Sequence, residues 1–113
     1  MFALQWTRVA EKEYQRLKAA ADQAKRSRPE RSKSTKAEGL FKQVCKTLQH
    51  LRSNPRHSGL QTHEYHSLSH PYDAKQMVFE AYARNRTSSA YRVFWCYGPG
   101  KNEMTILAIT PHP

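Results

Sequence analysis

Acidic residues are scarce in this chain of 113 residues, and that scarcity is the first indication of what it binds. Nine Asp and Glu side chains stand against nineteen Lys and Arg, so the formal net charge is +10. A surface with this imbalance attracts polyanions, which leaves nucleic acid, an anionic membrane surface or an acidic protein as candidate partners. The length predicts one domain, residues 1–113, with a single modest core.

Long apolar runs, signal-peptide features and paired cysteines are also missing. No stretch approaches the roughly 18 apolar residues that a membrane-spanning helix needs. Residues 1–7 lead directly into a charged segment, unlike a secretory signal. The two cysteines, Cys45 and Cys96, do not have the spacing of a CxxC motif. We therefore expect reduced, buried thiols in a cytoplasmic protein that has no membrane contact.

Three β-prone runs near the C-terminal end organise the predicted fold. They span residues 76–84, 91–97 and 103–110, and short segments containing Gly, Pro, Asn and Ser separate them. Because short connections of this kind join antiparallel neighbours, we expect a three-stranded meander. Its middle strand is apolar on both faces except for Arg92, whose charge needs water or an anionic partner.

A strand and two amphipathic helices precede the meander. Alternating apolar side chains over 2–6 predict the strand. Apolar residues at helical spacing predict helices over 8–25 and 36–53, the second opened by a Thr-x-x-Glu capping box at Thr35. The helices should form an antiparallel hairpin on one face of the sheet. The predicted fold class is therefore α+β, with a mostly antiparallel sheet of four or five strands.

Two irregular segments carry basic and imidazole side chains. Residues 26–35 join the helices and form either a solvated, mobile linker or a phosphate-binding arm that uses Arg28 and Arg31. Residues 56–73 hold a short strand predicted at 60–66. They also contain four histidines: His57, His63, His66 and His70. No Cys, Asp or Glu completes a zinc-ligand pattern with these histidines, so we expect no metal and no cofactor.

Four short motifs lie within or between these predicted elements. They are LRSNP at 51–55, GLQTH at 59–63, YRVFW at 91–95 and a terminal strand that contains ILAI at 106–109. Together with the order of strand, two helices and meander, these motifs resemble the RelE/ParE superfamily of bacterial toxins from toxin–antitoxin modules. The resemblance covers nearly the whole chain.

The resemblance implies one of two activities. RelE-like and HigB-like members are ribosome-dependent endoribonucleases that cut mRNA, whereas ParE-like members share the fold, inhibit DNA gyrase and cut nothing. Both kinds are neutralised by a cognate antitoxin protein. The implied partners are therefore an antitoxin and either mRNA with the ribosome or DNA gyrase. A plain RNA-binding module is a third interpretation.

The resemblance also implies two catalytic residues. Arg92 stands where RelE-like enzymes bind the phosphate, a role that suits the planar, permanently charged guanidinium. The alternative is that Arg92 only forms an ion pair with Glu80 or Glu103. His112 follows the last strand, where related nucleases keep a functional histidine or basic residue, and imidazole can act as acid or base near neutrality. The alternative is an ordinary terminal histidine.

A further set of residues is predicted to contact RNA. This set is His63, Tyr82, Arg84, Arg86, Arg28 and Arg31. Tyr82 either stacks on a base or packs across the strands against Tyr91. Where RelE-type enzymes often carry lysines, this chain has Glu80 and Tyr82, which favours a histidine-based mechanism over a lysine-based one.

Overall fold

The computed structural model describes residues 1–83 and 91–111 and confirms the α+β class. Two helices follow the first strand: α1 (Arg8–Ser27) and α2 (Lys36–Ser53). The strands, in chain order, are β1 (Ala3–Trp6), β2 (His63–Tyr65), β3 (Val78–Tyr82), β4 (Tyr91–Tyr97) and β5 (Glu103–Pro111). The bounds of α2 and β4 are those predicted from the sequence.

The five strands form one sheet in the order β1-β5-β4-β3-β2. Strands β2 to β5 are antiparallel neighbours, so the predicted meander is confirmed, with one further strand at its edge. Strand β1 joins the other edge parallel to β5, with Ala3 opposite Glu103. Strand β4 is hydrogen-bonded on both sides, and it is nearly all buried. This central position accounts for its apolar character.

Threonines cap both helices. The Thr7 side chain accepts a hydrogen bond from a backbone N–H in the first turn of α1. Thr35 and Glu38 form the predicted capping box at the start of α2. Helix α1 runs two residues beyond the predicted end at residue 25 and stops where Arg28 becomes extended. Arg28 precedes Pro29, and a residue before proline disfavours helical backbone.

The helix hairpin packs on one face of the sheet and forms the core there. Buried side chains from the helices meet buried side chains from the sheet: Leu17, Val44, Leu48 and Leu51 with Val93, Trp95, Met104, Ile106 and Ile109. Among the described residues, no helix is long and apolar enough to cross a membrane.

The loop between β2 and β3 covers one end of the opposite sheet face. His70 holds this loop against β4, because Nε2 of the buried imidazole donates to the Tyr97 carbonyl at 2.8 Å. Its Nδ1 accepts from the backbone N–H groups of Tyr72 and Asp73. The Thr105 hydroxyl donates to the Gly98 carbonyl and is also hydrogen-bonded to the Tyr72 hydroxyl at 3.0 Å. All these contacts lie toward the end of β4, away from the end where the strand begins.

The strand predicted over 60–66 is shorter than expected. A 3-10 turn occupies Ser58–Leu60, and Gln61 then takes a left-handed backbone conformation with φ of 48°. Extended pairing therefore begins only at His63 and lasts three residues. The strand predicted over 76–84 is likewise trimmed to β3, with residue 84 outside the described part of the chain.

Replacing Leu48 by alanine tests the core. Leu48 is 5% exposed in the helix–sheet interface, so Leu48→Ala should lower the free energy of unfolding by about 2–5 kcal/mol in urea titration. The matched control is Leu68→Ala in the β2–β3 loop, where the side chain is 41% exposed and the change should stay within about 0.5 kcal/mol. Equal effects at the two positions would contradict this packing.

Candidate functional site

Four polar side chains meet on the sheet face that the helices leave open. Cross-strand register explains why: His63 lies opposite Glu80, and Tyr82 lies opposite Arg92. Glu80 and Tyr82 are two residues apart in one strand, so they share a face. The four residues His63, Glu80, Tyr82 and Arg92 are called the Glu80 cluster here.

The Glu80 carboxylate is the centre of the cluster. Its side chain is 3% exposed, and Oε1 lies 2.5 Å from Nε2 of His63. The Tyr82 hydroxyl donates to the same oxygen at 3.2 Å. The other oxygen, Oε2, accepts from Nη1 of Arg92 at 2.7 Å. Burying a carboxylate this deeply is costly without such partners, so the four side chains depend on one another.

Arg92 is held between the carboxylate and an aromatic surface. Its guanidinium carbon lies 4.9 Å from the ring centroid of Phe94 and 6.0 Å from that of Tyr65. Of its two predicted acidic partners, Glu80 pairs with it, whereas Glu103 accepts a hydrogen bond from Gln5. Within residues 1–83 and 91–111, Nε of Arg92 is buried without a hydrogen-bond partner. The ion pair therefore leaves one donor unused.

His63 is the exposed member of the cluster. Its side chain is 50% exposed, and its ring lies 5.6 Å from the Tyr82 ring. Nδ1 is 3.2 Å from the Gln61 carbonyl oxygen, while Nε2 faces Glu80. An imidazolium ion can donate to both acceptors at once, but neutral imidazole can donate to only one. The site therefore joins a solvent-facing imidazole to a buried carboxylate.

Tyr82 is a neutral hydrogen-bond donor in this site. Burial raises the pKa of its phenol, and the nearby Glu80 charge raises it further. The expectation that Tyr82 packs on Tyr91 is wrong, because Tyr82 lies opposite Arg92 and adjacent strand residues point to opposite faces. Tyr91 instead points toward the helices, where Arg16 donates to its hydroxyl at 3.2 Å.

The other predicted site residues are not part of the cluster where the structure describes them. Nε of Arg28 lies 3.0 Å from a carboxylate oxygen of Glu38, and its Nη1 donates to the Ser32 carbonyl. These contacts tie the connection between the helices to the start of α2. Arg31 is exposed and has a φ of 65°. Three predicted residues lie outside the described part of the chain: Arg84, Arg86 and His112.

The described residues provide neither a reactive cysteine nor a group of side chains arranged to bind a metal. Cys45 and Cys96 are free thiols. Burial raises the pKa of Cys96 to about 11 and also raises that of Cys45, so reactive thiolate is scarce near neutrality. Over the described residues, no group of three or more His, Cys, Asp or Glu side chains is placed to hold a metal ion.

Comparison with known proteins assigns no family. No family model matches the chain, and neither does any curated protein or solved structure. The resemblance to the RelE/ParE superfamily thus stays a hypothesis that rests on motifs and element order.

Because the charges of the cluster depend on each other, removing one of them should destabilise the protein more than removing both. Arg92→Ala leaves Glu80 buried without its cation, so it should lower the free energy of unfolding by about 3–5 kcal/mol in urea titration. The double variant Arg92→Met with Glu80→Leu removes both charges and should recover most of this loss. A double variant as unstable as Arg92→Ala would show that the loss does not come from leaving the Glu80 charge without a partner.

Proposed function

We propose that this chain is a toxin-type endoribonuclease that cuts mRNA on the ribosome. The observation that carries the proposal is the Glu80 cluster, which combines a carboxylate-bound imidazole with an arginine on the open sheet face. The net charge of +10 supports an RNA substrate, because cations attract the phosphate backbone. The resemblance to RelE-like toxins supports the ribosome as the place of action, and hence the cytoplasm.

The proposed reaction is intramolecular attack by the ribose 2′-hydroxyl. The hydroxyl loses its proton and its oxygen bonds to phosphorus, the bond from phosphorus to the 5′-oxygen breaks, and that oxygen gains a proton. The products are a 2′,3′-cyclic phosphate and a free 5′-hydroxyl. Such a reaction needs a proton acceptor, a proton donor and a cation that stabilises charge on the phosphoryl oxygens.

Arg92 supplies the cation. Its charge is permanent, and its side chain stays 15% exposed while Nη1 holds Glu80. The ion pair with Glu80 and the aromatic surface beneath fix the guanidinium before substrate arrives. A preorganised donor is effective because it does not need to reorient during the reaction.

His63 and His112 supply the proton transfers. When His63 is neutral with its proton on Nε2, Glu80 holds that N–H, and the lone pair on Nδ1, which lies 3.2 Å from the Gln61 carbonyl oxygen, takes the 2′-hydroxyl proton. The Glu80 charge then stabilises the imidazolium, as a carboxylate does behind other catalytic histidines. His112 is proposed as the donor to the 5′-oxygen. The pairing of Thr110 with Arg92 supports this role, since the chain leaves β5 beside the phosphate-binding arginine.

Tyr82, Arg84 and Arg86 are proposed to hold RNA next to the reacting phosphate. The position of Tyr82 beside His63 on the same sheet face supports contact between its ring and a base. The two arginines follow in the sequence and add cations for neighbouring phosphates.

Primer extension on mRNA after induction tests the nuclease. His63→Ala and His112→Ala should each reduce cleavage by about 10²–10⁴-fold, since each removes a proton-transfer group. Arg92→Lys should also cut poorly while keeping a cation beside Glu80. His66→Ala is the matched control and should cut normally, because that imidazole is 77% exposed and lies 3.9 Å from the exposed Glu64.

Two results would overturn this assignment. Uncut mRNA after induction of the wild-type chain would exclude the nuclease, and inhibition of DNA supercoiling would then identify a ParE-like gyrase inhibitor. Full cleavage by both His63→Ala and His112→Ala would refute the proposed chemistry, even if the chain proved to be a nuclease.

The proposed partner is a cognate antitoxin with an acidic segment. The charge of +10 supports it, as does an open groove of about 720 Å³ beside β1 and the helices. Apolar side chains in that groove include Leu4, Trp6 and Tyr14. Expression from the native operon should yield a complex that protects cells, and the chain alone should be toxic. Recovery of a lone, harmless protein from the operon would contradict this proposal.

A further inference from the structure

A second cavity lies across the sheet edge from the Glu80 cluster. Its volume is about 510 Å³, within the range of small-molecule sites. Three aromatic rings and the segment after α2 line it: Phe79, Trp95 and Tyr97 with Pro55, Arg56, His57, Ser58, Gln61 and Thr62. Phe79 precedes Glu80 and Thr62 precedes His63. The same two chain segments therefore contribute side chains to the cavity on one sheet face and to the Glu80 cluster on the other. We call it the aromatic cavity.

Phe79 is half-buried and Tyr97 is exposed, so these two side chains present surface to a ligand, whereas Trp95 is buried. Phe79 and Trp95 stack with their centroids 4.9 Å apart, and Tyr97 meets Trp95 edge-on at 5.0 Å. Tyr97 is 37% exposed, a large fraction for a tyrosine in the central strand. Rings arranged in this way can take up a further planar group by stacking.

Two buried polar atoms of the cavity residues are unpaired. Trp95 is 1% exposed, and within the described residues its indole Nε1–H has no hydrogen-bond partner. The same holds for the buried Oγ1 of Thr62. Buried polar groups are nearly always paired, because an unpaired one is costly. The indole can only donate and the hydroxyl can donate or accept, but each atom exposes less than 1 Å², so a ligand reaches either one only when the cavity wall shifts.

The charge around the cavity selects among planar ligands. Arg56 is exposed on its wall, and no acidic side chain is among the described residues that line it. A nucleobase offers a flat face and edge acceptors, and its attached phosphate complements Arg56.

We propose that the aromatic cavity binds a nucleobase of RNA, with the adjoining phosphate at Arg56. The inference rests on the proposed function and adds a base-selective subsite to it. Strand β2 is an edge strand of three residues, and within the part of the chain that the structure describes no further strand lies beyond it. An RNA with its scissile phosphate at Arg92 and His63 can turn around this edge and place a flanking base in the cavity. The cavity then determines which sequences are cut.

Fluorescence of Trp95 measures binding directly. The chain has two tryptophans, and Trp6→Phe leaves Trp95 as the only one. After circular dichroism confirms that this variant folds, nucleoside 5′-monophosphates, nucleosides and ribose 5-phosphate are titrated separately, with calorimetry as an independent readout. At least one nucleotide should saturate the signal, its nucleoside should bind more weakly, and ribose 5-phosphate should bind least.

Two substitutions assign the contacts. Thr62→Val keeps the side-chain shape but removes the hydroxyl, so it should weaken nucleoside binding by about fivefold to tenfold. Arg56→Ala should weaken the nucleotide while leaving the nucleoside unchanged. The proposal is overturned if no nucleotide or nucleoside binds in either readout. It is also overturned if ribose 5-phosphate binds as tightly as the nucleotide, because the site would then recognise only an anion.

Cleavage assays separate this inference from the proposed function. His63→Ala should bind nucleotide normally but fail to cut, whereas Thr62→Val should still cut, with less preference for the flanking base. Nucleotide binding by a wild-type chain that never cuts RNA would refute the nuclease and leave the cavity assignment standing. Cleavage by a chain that binds no nucleotide or nucleoside would refute the cavity and leave the nuclease standing.

Discussion

The ion pair between Glu80 and Arg92 is the interaction on which the open sheet face depends. The carboxylate is 3% exposed and the guanidinium 15% exposed, so both charges have lost most of their water. Their mutual attraction offsets that loss only because the strands hold Oε2 and Nη1 at 2.7 Å. The second carboxylate oxygen then orients His63 and Tyr82. Pairing of β3 with β4 thus determines the geometry of the whole cluster.

The sheet separates two environments that the same strands supply. Side chains alternate along a strand, so Glu80 faces the open side while Phe79 lines the aromatic cavity. In the same way, His63 faces the open side and Thr62 lines the cavity. A slip of one residue between β3 and β4 would exchange these faces and bury charges in the apolar core. The helix hairpin opposes such a slip, because it packs only against the apolar set of strand residues.

Local patterns predicted most of the elements, and contacts distant in sequence account for what they missed. Helix α2 and strand β4 have the predicted bounds, since a capping box and an uninterrupted apolar run are local signals. The strand predicted over 60–66 was wrong at its start, because the left-handed turn at Gln61 is not marked by glycine. Glu80 was considered as a partner of Arg92 but not as the centre of a site. Its contacts with His63 and Tyr82 follow from strand register, which composition and periodicity do not specify.

A buried ionisable cluster bears on the choice between the proposed nuclease and its alternative, a non-catalytic inhibitor. Fold alone does not decide, because one fold can carry unrelated functions. Buried ion pairs add little stability relative to apolar residues of similar volume, so stability is a weak reason for this one. An inhibitor that binds through its surface needs no imidazole held by a buried carboxylate. Proton transfer at a phosphate does need such a group, beside a fixed cation. The arrangement of Glu80, His63 and Arg92 therefore supports the proposed chemistry on RNA over the alternative of passive binding.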